Sequence, residues 1–88
     1  MALIEKKCWP EYFQAILDGE KTYELRIADF EANKGDTLLL REWDPKTKEY
    51  TGRKLEKQIS FVVRTKEINF FKEEDVEQFG YQVIGLEK

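Results

Sequence analysis

Histidine is absent from this 88-residue chain, and cysteine occurs once, as Cys8. The first absence removes the commonest general base and the commonest transition-metal ligand, and a lone cysteine cannot close an internal disulfide. A zinc site of thiolates and imidazoles cannot be assembled, nor can a Ser-His-Asp or Cys-His nucleophile pair. No spacing of carboxylates argues for an oxygen-only magnesium site. The expectation is therefore no metal and no cofactor, with any catalysis falling to lysine, carboxylate, hydroxyl or tyrosine groups. Long apolar runs are also missing: nothing approaches the roughly 20 residues that cross a bilayer, and Glu5, Lys6 and Lys7 interrupt the opening "MALIEKKCWPEYF". A soluble, cytoplasmic protein with no membrane partner is expected. Nor does charge of one sign form a block. Eighteen acids against 15 bases, a net charge of −3, disfavour strong nonspecific attraction to a phosphate backbone and leave room only for a local basic pocket.

What is present suits one compact unit. A hydrophobic share of 41%, with 6 Phe, 4 Tyr and 2 Trp, is enough for a single domain over residues 1–88 and too little for two. "ALIEKKC" reads as a short strand. Pro10 stands where a first helical residue has no N–H to lose, Phe13, Ile16 and Leu17 share a helical face, and Gly19 suits a left-handed helix end, so a helix is expected over residues 10–18. "KTYELRI" alternates: Lys21, Tyr23, Leu25 and Ile27 point one way, the last three making it the expected core face of a strand, and Thr22, Glu24 and Arg26 form its polar face. "NKGD" and "DPKTKEYTG" are turn signals on either side of the apolar strand "TLLLREW". "KLEKQISFVVRT" places Leu55, Ile59, Phe61 and Val63 on one face of what should be the longest strand, within residues 53–66. Glu73, Glu74 and Asp75 open a second short helix that Gly80 stops, and "YQVIGLE" reads as a closing strand. Several strands with two short helices favour a small curled sheet or barrel covered by a helix, although periodicity alone also admits ferredoxin-like and ubiquitin-like arrangements.

The stretch "GEKTYELR" resembles the hallmark of the ASCH domain family, a PUA-like β-barrel group with the pattern G-x-K-x-x-E-x-R. Gly19, Lys21, Glu24 and Arg26 occupy its four positions. "PEYF", "GDTLLLREWD", "EYTGR" and "GYQVIGLE" extend the resemblance over almost the whole chain, to the branch of small, stand-alone ASCH-like proteins of unknown function. The resemblance implies an α+β, mainly β fold: a PUA-like mixed barrel with one helix beside it and a second short helix. It also implies a cleft lined by Lys21, Glu24 and Arg26, and RNA or a nucleotide-like small molecule as partner. Some small ASCH proteins are amidohydrolases that deacetylate 4-acetylcytidine with a lysine, a threonine and a glutamate. Lys21 matches that lysine, but the threonine position three residues later is Glu24, with Thr22 nearby. A histidine common near the start of related proteins is replaced by Ile4.

The chemistry of these side chains agrees with a binding role. Arg26 offers planar, bidentate donors, Lys21 a compact charge, and Glu24 an acceptor for a base amide. Trp9, Tyr12 and Trp43 are stacking candidates, Trp9 first because it precedes the helix that borders the cleft. Lys21 and Glu24, with Thr22, are the catalytic candidates should the chain be a hydrolase. Glu73, Glu74 and Asp75 are explained by a helix dipole, Cys8 as a small buried apolar group, and Arg41, Lys54 and Arg64 as solvent-facing strand residues.

Overall fold

The computed structural model describes residues 1–87. Its elements run β1 (Leu3–Cys8), α1 (Pro10–Leu17), β2 (Thr37–Asp44), β3 (Glu49–Gln58), a 3₁₀ turn (Thr65–Glu67) and α2 (Glu73–Phe79). The strands make one mixed sheet in the order β1-β2-β3. β1 runs parallel to β2, from Leu3 opposite Thr37 to Cys8 opposite Glu42. β2 and β3 form an antiparallel hairpin.

Local chemistry sets the limits of α1. Pro10 occupies the first turn and Gly19, at φ +81°, follows the helix. Gly19 N–H donates to the Ile16 carbonyl (3.1 Å) and Glu20 N–H to the Ala15 carbonyl (3.0 Å), a Schellman closure that satisfies carbonyls left over at the helix end. Lys21 N–H reaches the same Ala15 carbonyl at 3.0 Å, so the chain leaves the helix in a fixed direction.

α1 lays Phe13 and Ile16 against Cys8 and Leu40, with Leu38 and Leu55 packed around them. Leu38, Leu40 and Glu42 share the covered face of β2, by the strand alternation. The start of the sheet is held by Asp36, which is buried and accepts from the backbone N–H groups of Ala2 (2.8 Å) and Asn33 (3.0 Å).

Four expectations are corrected. The segment Lys21–Ile27 is not a strand, and its faces are inverted: Leu25 and Ile27 are 69% and 80% exposed, while Glu24 and Arg26 turn toward the protein. The cause is the edge of β1, where Arg26 donates to the Lys7 carbonyl and so draws the charged side chains inward. The longest strand is Glu49–Gln58, earlier than residues 53–66. Its pairing ends when Ile59 N–H meets the Asp36 carbonyl (2.8 Å) and Gly35 N–H the Ile59 carbonyl (2.8 Å), because β2 begins at Thr37 and nothing upstream continues the ladder. Phe61 and Val63 are consequently exposed. "YQVIGLE" pairs in no ladder, so the sheet does not close into a barrel. It lies near Thr22, whose hydroxyl donates to the Leu86 carbonyl at 3.4 Å. Leu17, too, is exposed rather than part of the core. Among the described residues, no helix is long and apolar enough to cross a membrane.

The core placement predicts an uneven response to truncation. Leu40→Ala should cost about 2 to 5 kcal/mol in urea unfolding, as for other buried leucines. Leu86→Ala should change stability by less than about 0.5 kcal/mol. Equal losses would mean that the C-terminal segment is packed as tightly as the sheet.

Candidate functional site

Lys21, Glu24 and Arg26 meet in one cluster. Lys21 Nζ donates to Glu24 Oε1 (2.9 Å) and to the Tyr23 carbonyl (2.9 Å), and Arg26 Nε donates to Glu24 Oε2 (2.7 Å). Both carboxylate oxygens are thus used, each by a different cation. The side chains are 14%, 18% and 30% exposed for Lys21, Glu24 and Arg26, so water screens these pairs less than it screens pairs on the open surface. Each arrives by a separate route: Lys21 from the closure of α1, Arg26 by its hold on the Lys7 carbonyl at the sheet edge.

Donors remain. Two bonds leave one Lys21 ammonium proton without a protein acceptor, and among the described residues nothing accepts from Arg26 Nη1. The cluster carries one positive charge in excess and is framed by rings, with Lys21 Nζ 4.8 Å from the Tyr23 ring centre and 5.8 Å from that of Tyr12. Tyr12, rather than Trp9, is the sequence-predicted aromatic placed beside Lys21. Trp9 is half exposed at the start of α1, where its carbonyl accepts from Phe13 N–H (2.9 Å). Thr22 faces the C-terminal segment and has no bond to Lys21. Trp43 lies beneath Lys7, 4.6 Å from Nζ to the ring centre.

A second charged cluster, centred on Glu42, was not anticipated from the sequence. Glu42 is 4% exposed and is held by Arg53 through two bonds, Nε to Oε1 (2.9 Å) and Nη2 to Oε2 (2.8 Å). Thr51 Oγ1 donates to Oε1 at 2.5 Å. A bulge makes this convergence: Arg41 pairs with Lys54 and Trp43 with Tyr50, so Thr51, Gly52 and Arg53 together oppose Glu42. Gly52, at φ +99°, takes the backbone conformation that lets both neighbours aim at one carboxylate. Arg53 also donates to Gln14 Oε1 (3.1 Å) and lies 4.8 Å from the Phe13 ring centre, which fastens the hairpin to α1. A signal for this cluster is present in "TLLLREWD": Glu42 has the parity of Leu38 and Leu40, and an acid on a core face demands a cationic partner.

Cys8 sits opposite Glu42 in the sheet, between the two clusters. Burial pushes its thiol up, and Glu24 pushes the same way while Arg26 and Lys21 pull against it. A buried, protonated thiol is a poor nucleophile. Arg64, expected to face solvent, is anchored by donating to the Ala32 carbonyl (2.7 Å). Glu73, Glu74 and Asp75 stand in the first turn of α2. Among the described residues, no group of acids and cysteine is arranged to hold a metal ion.

The chain belongs to the family described as "Domain of unknown function (DUF3850)", whose model matches residues 4–85. It is similar to the "Uncharacterized 12.9 kDa protein in GpA 3'region" of Escherichia phage P2, at 41% identity over 58 residues, 66% of this chain and 51% of the relative. The chain thus spans about half the length of that curated relative. No solved structure matches it.

The Glu42 cluster makes an acid-limb prediction. Arg53 is the main cause that holds the Glu42 carboxyl below its ordinary value, and backbone N–H groups do the same for Asp36. Each group binds its proton less readily folded than unfolded. Its stabilisation is therefore complete above the unfolded-state value, about 4, and is lost as pH falls through the folded one. Urea unfolding at a series of pH values should show stability falling below about pH 4, with a shallower fall in Glu42→Gln. An unchanged slope in that variant would show that Arg53 does not hold Glu42 in solution.

Proposed function

We propose that the chain is a cytoplasmic binding module for a nucleotide or a short single-stranded RNA element, related to the PUA-like ASCH domains in an open-sheet form. The observation that carries this reading is the half-buried Lys21, Glu24 and Arg26 cluster, one positive charge in excess, with Lys21 and Arg26 donors left over. The hallmark pattern of the resemblance falls on these residues, and Gly19 supplies the turn that delivers Lys21.

In this reading Arg26 Nη1 and the remaining Lys21 proton bind a phosphate or the acceptor edge of a base. Glu24 holds both cations in place, so little side-chain freedom is lost when the ligand arrives. Tyr12 or Tyr23 supplies a ring face. The hydrolase reading has less support: Glu24 stands where those enzymes carry threonine, and Thr22 is bonded elsewhere.

Titration calorimetry with nucleoside monophosphates and modified nucleosides, 4-acetylcytidine among them, tests the proposal. Arg26→Gln should weaken a binder at least about tenfold, the loss expected for a hydrogen bond to a charged group. Unchanged affinity in that variant would refute the site. Acetate release that disappears in Lys21→Ala would replace the binding reading with the hydrolase one.

A further inference from the structure

The uncovered face of the sheet carries charged side chains in register across its three strands. Arg41 pairs in register with Lys7 on β1 and with Lys54 on β3, so three cations stand side by side across the three strands. Neighbouring strands are about 4.8 Å apart, and like charges directly opposite destabilise a sheet. Only Arg41 has a carboxylate within 4 Å, Glu5 at 3.3 Å, and that pair is open to solvent and weak. Lys7 and Lys54 have no such partner among the described residues. The row before it on the same face is Glu5, Leu39 and Glu56, so in a chain of net charge −3 the three cations form a local basic strip bordered by acids on one side.

The next row of the same face is aromatic, Trp43 opposite Tyr50. Lys7 Nζ lies 4.6 Å from the Trp43 ring centre, and the Arg41 guanidinium 3.9 Å from that of Tyr50. Tyr50 remains 42% exposed. The Arg41 guanidinium thus covers part of the Tyr50 ring and leaves the rest open to solvent. Beside it lies an open concavity of about 270 Å³ lined by Glu5, Arg41, Tyr50, Gly52 and Lys54 among others.

We propose that this face binds single-stranded nucleic acid without sequence preference, with Lys7, Arg41 and Lys54 on consecutive phosphates and the Trp43 and Tyr50 row under the bases. Rings next to cations match that ligand: phosphate satisfies the row, and every base offers a π-face for stacking. An acidic peptide would use the cations but not the rings. The inference stands on a different face and different residues from the Lys21, Glu24 and Arg26 site, so either can fail without the other.

The test is fluorescence anisotropy with a labelled oligouridine of about 12 nucleotides at several salt concentrations. Three neutralised phosphates at about 0.7 each give a wild-type slope of log affinity against log salt near −2. Arg41→Gln with Lys54→Gln should weaken binding at least about tenfold and reduce the slope by about 1.4. Tyr50→Leu should weaken binding about tenfold and keep the slope, since a stacking contact is lost and no charge. Lys66→Gln, a single charge removed on the 3₁₀ turn, should change neither. A flat wild-type slope, which needs no variant to fold, would overturn the proposal. So would unchanged affinity in the double variant, or a polyglutamate of equal length competing as well as oligouridine.

Discussion

One half-buried carboxylate, Glu24, joins two parts of the chain that have no ladder between them. Its Oε1 accepts from Lys21, which the Schellman closure of α1 has just delivered, and its Oε2 accepts from Arg26, which is tied to the edge of β1. Without Glu24, two cations would share a partly desolvated space with nothing between them, an arrangement whose repulsion grows as the local dielectric falls. The orientation of Lys21 and Arg26, and every reading of them as a binding site, depends on this joint. Together with the Lys7 carbonyl, it gives the charged side chains of residues 21–27 internal partners, so the aliphatic ones are left outside.

Glu42 does for the hairpin what Glu24 does for the edge. Its two bonds from Arg53 cross the bulge at Gly52, and Arg53 continues to Gln14 on α1. The helix is thus held from both sides by carboxylate and cation pairs, with a small apolar cluster of Cys8, Phe13, Ile16 and Leu40 between them. Among the described residues no buried side-chain nitrogen or oxygen lacks a hydrogen-bond partner. Half-buried charges are therefore compatible with so small a core, since unsatisfied groups there would cost more than the core provides.

The parts of this fold that are legible in the sequence are those set by neighbours in the chain. Pro10 and Gly19 bound α1, the turn at residues 45–48 between two apolar runs produces the hairpin, and the acids at residues 73–75 open α2. The meeting of Lys21, Glu24 and Arg26 is implied by the resemblance of G-x-K-x-x-E-x-R to a family hallmark, whereas strand alternation alone puts Lys21 on the face opposite the other two. What is not legible depends on partners distant in sequence. Alternation in "KTYELRI" says that two faces exist, but the Lys7 carbonyl decides which one turns inward. The length of β3 is set by where β2 begins, so "ISFVV" has strand composition and no neighbour to pair with. Glu42 and Arg53 could be sought from strand parity, whereas the two extra residues that bring them together appear only in the register.

The shared Glu24 carboxylate is tested most directly by nitrogen-15 spectra of the arginine side chains. An Nε–H held by a carboxylate is protected from exchange with water, and an exposed one is not. The structure predicts protected signals from Arg26 and Arg53, with the Arg26 signal lost in Glu24→Gln while that of Arg53 persists. Rapid exchange of the Arg26 Nε–H in the wild type, or its survival in Glu24→Gln, would contradict the account, because Glu24 would then not be what holds Arg26 in the site.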